Sequence, residues 1–223
     1  MPHLDLTIDL GSRRARIVST ARADGDFGLE RVTDDDRRRF HPAPWTWLRQ
    51  VHGADVVTVV AAGAGAGSAA DAAVTDVVDA PVAVLTADCA PVVLVGDRAV
   101  AAVHAGWRGL VAGVIEAAAA RLVALDARPV TTILGPCISP ASYEFGATDL
   151  AVVAARYGPT VGAVSDRGTP ALDLPAAVAA ACVAAGWPAP ERPACTSAPG
   201  FFSHRTRGDR ERQTTLAWLE LAP

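Results

Sequence analysis

Residues 101–109 read AAVHAGWRG: an apolar run delivers an imidazole at His104 and a guanidinium at Arg108, with glycines at 106 and 109. Upstream, LTADC ends a second apolar run on Cys89. If Gly96 and Asp97 form a two-residue hairpin loop, Val95 pairs with Arg98 and Cys89 falls opposite His104. Facing Cβ atoms in such a pair lie about 4.5–5.5 Å apart, a separation that suits two ligands of one metal. Pro91 cannot donate to the ladder, so a bulge beside it would shift this register. His52, flanked by Gly53 and near Asp55, stands at another strand end and offers a third ligand. Two histidines and one cysteine around Zn²⁺ leave a fourth position open, which is the pattern of a catalytic rather than a structural site. Spacing alone also admits a plainer reading, with Cys89 a small buried hydrophobe and His104 a satisfied core histidine. After Gly106 the chain reads as a helix whose N-terminus, with Arg108 in its first turn, favours an anion.

The elements that must position these groups follow from periodicity. LDLTIDL and RARIVST alternate as strands, and TDDDRRRF (33–40) reads as a charged surface segment. WTWLRQVHGADVVTVV reads as a strand, a turn at His52-Gly53-Ala54-Asp55, and a second strand over 56–60. Further strands are read in PVAVLTADC, PVVLV, AVAAVH and TTILG. Apolar spacing predicts one helix over 107–124 and others over 149–157, 175–185 (with Asp173 as its cap) and 211–221. Gly63, Gly65 and Gly67 do not make a nucleotide fingerprint, because no helix opens at the last glycine and the chain has no lysine. Strands and helices mix without a strict βαβ rhythm. We expect one domain over 1–223, an α/β (α+β) layered sandwich of mixed sheet with flanking helices.

Composition excludes several classes. The 223 residues are 51% hydrophobic, enough for a substantial core, and the formal charge of −4 offers no basic field for nucleic acid. No basic-then-apolar leader and no membrane-length apolar run is seen, so a cytoplasmic protein without a membrane partner is expected. The four cysteines are widely spaced with no CxxC pair, which favours free thiols or a metal ligand over disulfides. His3 and His41 read as ordinary surface histidines.

With these residues in view, the chain resembles the YfiH-type family, also called laccase-domain or peptidoglycan editing factor proteins. The likeness runs through LRQVHGADVV, DAAVTD, LTADCAPVVL, AAVHAGWRGLVAGV, GPCISPASYEFG and FFSHR. It implies His52, Cys89 and His104 as metal ligands, usually for zinc, with copper a weaker alternative. It also implies purine nucleoside chemistry: phosphorolysis of adenosine, inosine or methylthioadenosine, and adenosine deamination. Partners would then be a nucleoside and phosphate, with the protein a monomer or weak homodimer. The chain departs from the family's TTRxGGxS segment and following Leu-Asn-Leu stretch: STARADGDFGLERVTDDD keeps only Arg22.

For these reactions Asp88 and Glu144 are candidate proton carriers. Arg108, Arg205 and Arg212 are candidate anion or substrate contacts, and Tyr143, Phe202 and His204 candidate contacts to the base. The H-x-E…P-C-x-x-C signature of zinc deaminases is absent, so any proton shuttle differs from theirs. A true multicopper laccase needs more imidazole ligands than the five histidines present. A peptidoglycan-editing cysteine hydrolase using Cys89 and His104, and a non-catalytic metal-binding paralogue, stay open as alternatives.

Overall fold

The computed structural model describes residues 3–222. The strands are β1 (Leu4–Asp9), β2 (Arg13–Ser19), β3 (Thr46–Trp47), β4 (Val56–Thr58), β5 (Ala72–Thr75), β6 (Val82–Thr86), β7 (Ala90–Gly96), β8 (Val100–Ala105), β9 (Pro129–Leu134), β10 (Gly162–Val164), β11 (Pro170–Leu172) and β12 (Gln213–Leu221). The α-helices are α1 (Asp34–Arg38), α2 (Trp107–Ala112), α3 (Val114–Ala124), α4 (Ala147–Tyr157), α5 (Leu174–Ala184) and α6 (His204–Arg207). Two five-stranded mixed sheets, ordered β1-β2-β12-β6-β3 and β4-β5-β8-β7-β9, pack face to face. This is the expected mixed α+β sandwich.

Alternation along β12 explains the layering. Ala217 and Leu219 face the inter-sheet core with Ile17, Val84, Val93 and Ala102, whereas Leu216 and Trp218 face outward under Phe27 and Trp45. The other face of the second sheet, through Val92, Leu94, Ala101 and Val103, packs against Leu110, Ile115, Leu122 and Ala181 of the helices. Strands β7 and β8 are therefore buried on both faces and read as continuous apolar runs.

Several expectations need correction. The segment 211–221 is not a helix: β12 is a central strand, paired with both β2 and β6, and its two-sided burial overrides the helix propensity of its Leu, Ala and Glu residues. The helix expected over 107–124 is two helices, because Gly113 adopts a left-handed conformation (φ 90°) between α2 and α3. The strand, turn and second strand expected over 45–60 are present in shortened form as β3 and β4, which belong to different sheets. His41 is buried, its Nδ1 accepting from the Ala43 N–H, and burial pushes its pKa down. The β7–β8 loop is longer than two residues: Val95 pairs with Val100, and Gly96 N–H donates to Ala99 O at 2.8 Å. Asp173 does cap α5, accepting from Ala176 N–H at 3.0 Å.

Candidate metal centre

That longer loop moves the register by two residues, so His104 pairs with Pro91 rather than Cys89. A shift of two preserves the face. Cys89, just before β7, and His104, near the end of β8, thus meet diagonally at one end of the second sheet. His52 arrives from the loop before β4, and one donor atom from each of the three residues lies within 4.8 Å of the others. Cys89 Sγ and His52 Nε2 are 3.9 Å apart, and the two imidazole centroids 4.9 Å apart.

Asp71 organises this cluster. It is fully buried at the entry to β5, and its carboxylate accepts the Val51, His52 and Gly53 N–H groups at 3.1, 3.0 and 2.7 Å. Collecting three successive N–H groups curls the loop and holds His52 left-handed (φ 59°), an uncommon conformation for a non-glycine residue. The same carboxylate accepts His104 Nδ1–H at 2.8 Å, and the Asp71 carbonyl accepts His104 N–H at 2.7 Å. His104 is thereby left with Nε2 as its free donor atom, the usual arrangement of a ligating histidine backed by a carboxylate. DAAVTD contains Asp71, but sequence reasoning assigned it no role. A lone aspartate opening a strand looks like any turn residue until its partners are known.

The electrostatics favour a thiolate. Burial pushes the Cys89 thiol up, but the His104 and His52 imidazoles outweigh it and bring it down to about 6. Burial opposes protonation of His104, yet the Cys89 thiolate and the Asp71 carboxylate raise it to about 9. Without metal the pair is a thiolate and an imidazolium, and a metal must displace the His104 proton. Alkylation of Cys89 in chelated protein is therefore expected to follow a midpoint near pH 6, falling tenfold per unit below it. Peptide-mapped iodoacetamide kinetics check this, and His104→Ala moves the midpoint upward.

The glycine before α2 answers to sterics. A Cβ on Gly106 would lie 2.9 Å from His52 Cδ2 and 3.1 Å from Cys89 Sγ, although the backbone there (φ −72°, ψ 160°) suits alanine. Gly106→Ala is expected to cost about 1–3 kcal/mol of overpacking, read as a ten- to hundredfold loss of metal affinity. Competition titration against a chelator measures it, with thermal melting of the metal-free protein as the control.

The triad opens onto a cavity of about 650 Å³ lined also by Arg31, Arg49, Gln50, His204, Arg210 and Arg212. Gln50 forms its wall by mimicking a strand: its side-chain amide donates to Leu85 O at 2.7 Å and accepts Leu85 N–H at 2.8 Å. Gly28, Leu29, Glu30 and Arg31, from the segment that departs from the family pattern, line it as well. Arg22, the retained residue, instead bonds Asp209 at 2.6 Å and lies over Phe202.

Of the remaining sequence candidates, His204 and Arg212 share this cavity. The others sit elsewhere. Arg108 stacks on Trp107, Arg205 lies over Tyr143, and Phe202 is buried. Glu144 faces a separate small polar pocket with Arg167 and Arg205. Asp88 is committed to tethering, accepting Thr196 Oγ1–H and Arg205 N–H, each at 2.6 Å.

A family model described as multi-copper polyphenol oxidoreductase laccase matches residues 30–220. The chain belongs to the YfiH-type family. It is 40% identical over 189 residues to a protein of Streptomyces griseus named purine nucleoside phosphorylase, covering 80% of this chain and 76% of that one. A purine nucleoside phosphorylase of Xylella fastidiosa is 40% identical over 188 residues, covering 78% and 71%. The crystal structure of YfiH from Bacillus licheniformis superposes with a TM-score of 0.78 at 20% identity, covering 96% of each chain, and shares the fold. No helix among the described residues is long and apolar enough to cross a membrane.

Proposed function

We propose that this YfiH-type protein is a zinc-dependent purine nucleoside phosphorylase acting on adenosine, inosine or methylthioadenosine, with adenosine deamination as a second reaction of the same cavity. The observation that carries this reading is the convergence of His52, Cys89 and His104 at the floor of an arginine-lined cavity. The names of its relatives support it. One thiol that ionises readily and two imidazoles, one backed by Asp71, form a donor set that suits Zn²⁺. Bound there, the ion supplies Lewis-acid stabilisation of developing negative charge.

The chain's own groups do the rest. Phosphorolysis breaks the bond from C1′ to the purine through an oxocarbenium-like centre, so the phosphate nucleophile must be held by cationic donors while the base departs. The cavity guanidiniums hold that anion, and His204 contacts the base. Asp71 keeps His104 in one orientation, and Gln50 fixes the wall against which the substrate lies.

A second reading has its own observation. Cys89, His104 and Asp71 form a thiolate, imidazolium and carboxylate in sequence, the order of a cysteine hydrolase. Chromatographic turnover of adenosine, with and without phosphate, separates the possibilities. Adenine that requires phosphate indicates phosphorolysis, and inosine indicates deamination. No turnover of any purine nucleoside by metal-loaded protein would sink the reading.

A further inference from the structure

All four cysteines are free thiols, and they differ in their surroundings. Cys89 belongs to the metal cluster. Cys182 lies within α5, where burial pushes its thiol up to about 12. Cys137 and Cys195 form a pair apart from both. They stand directly opposite each other in a parallel β-bridge that joins the segment after β9 to the segment before α6. Cys137 N–H donates to Ala194 O at 3.3 Å, and Thr196 N–H donates to Cys137 O at 3.1 Å. Partners in such a bridge lie about 4.8 Å apart with their side chains on one face, and a disulfide spans Cα separations of about 4.4–6.8 Å.

The two thiols are unlike. Cys195 is half-buried, and its Sγ sits among donors: it accepts Ser139 N–H at 3.2 Å and Ser197 N–H at 3.4 Å, with Ser197 Oγ at 3.0 Å. Burial pushes this thiol up, but the Ser139 and Ser197 donors outweigh it and hold its pKa below the ordinary value. Such a cradle suits an anion, because a thiolate accepts these bonds more strongly than a thiol does. Ser139 stands two residues beyond Cys137, so the donor that holds the Cys195 sulfur also draws it towards the Cys137 chain. Cys137 is 1% exposed, and burial together with its Cys195 neighbour keeps it protonated. A reachable thiolate beside a protonated thiol is the arrangement of a peroxide-sensitive pair.

We propose that Cys195 is an oxidative modification site: it reacts with hydrogen peroxide, and Cys137 captures the resulting sulfenic acid as a reversible disulfide. The Cys195 sulfur attacks one peroxide oxygen, the O–O bond breaks, and the departing hydroxide takes a proton and leaves as water. Sulfur is oxidised by two electrons and peroxide is reduced. The Cys137 sulfur then attacks the Cys195 sulfur. The S–S bond forms, the S–O bond breaks, and the hydroxyl leaves with the Cys137 proton as a second water. Neither cysteine belongs to the metal-ligand cluster, so this chemistry is independent of the nucleoside reading.

The test exposes the full chain, with Zn²⁺ present, to hydrogen peroxide with and without the sulfenic-acid trap dimedone, followed by peptide mapping by mass. Wild type is expected to give a Cys137–Cys195 cross-link that a thiol reductant reverses, with little dimedone on Cys195 and none on the buried Cys182. In Cys137→Ser the cross-link is lost and dimedone labelling of Cys195 rises about tenfold, because the sulfenic acid is no longer captured. In Cys195→Ser both products are lost. The wild-type map decides the matter even where a core variant does not fold. Cys195 that reacts no faster than Cys182 would overturn the proposal. So would a sulfenic acid that persists on Cys195 in wild type without the cross-link, or a cross-link from Cys195 to Cys89 in place of Cys137.

Discussion

Asp71→Ala is expected to lose about 3–5 kcal/mol of stability together with most of its metal affinity. Removing the carboxylate leaves His104 Nδ1 and three loop N–H groups without their acceptor at a fully buried position. Each orphaned buried donor costs about 1–3 kcal/mol, and breaking a buried charged network costs about 3–5 kcal/mol when some donors can turn to water. Val51 and His52 are exposed, so the loop donors have that recourse; His104 does not. Asp71→Asn keeps one acceptor oxygen but sets an amide NH₂ against donors. It should fold, and bind metal about 10–100-fold more weakly. Urea denaturation of chelated protein and metal competition titration measure the two effects separately. Wild-type metal affinity in Asp71→Asn would mean that the carboxylate does not orient His104.

The sign of the pH dependence follows from the same group. Burial opposes ionisation of Asp71, but the bonds from His104 and the loop N–H groups outweigh it and hold its pKa below the ordinary value. Its contribution is therefore complete above the ordinary carboxylate range and is lost as pH falls through the lowered pKa. Acid should narrow the stability difference between wild type and Asp71→Asn, as seen in paired urea curves at descending pH.

Cys89→Ser is the second large effect, with nucleoside turnover falling by about 10³-fold or more. A serine hydroxyl is nearly isosteric but stays protonated at neutral pH, so the site loses its one anionic ligand. The several kcal/mol of charge stabilisation that a bound metal provides correspond to about that factor in rate. Chelation of wild type should do the same, and added Zn²⁺ should restore wild type but not the variant. Full activity in chelated wild type combined with its loss in Cys89→Ser would assign the thiolate as a nucleophile. Turnover in both chelated protein and variant would remove the triad from the chemistry.

Local sequence determined a good part of this. The apolar runs on either side of Cys89 and the one that carries His104 are strands because their length and turn residues permit little else, and Asp173 capped its helix because a carboxylate before a proline-led apolar run has few other uses. The face shared by Cys89 and His104 was legible too. Strand alternation has a period of two, so an error of two residues in the hairpin register left both side chains on the same side.

Only tertiary structure decided the rest. The strand β12 looked helical because Leu, Ala and Glu favour helices locally, whereas its state is set by neighbours on both edges and both faces that lie far away in sequence. Asp71 was invisible as an organiser because its four partners come from the His52 loop and from β8, which meet only after β5 pairs with β8. Likewise Arg49 and Arg210, 161 positions apart in the chain, face one cavity because β3 and β12 flank β6 in the same sheet. Residue types can announce which groups are able to ligate a metal or hold an anion. Which of them share one space is fixed by long-range strand pairing, and that information is absent from any local window of the chain.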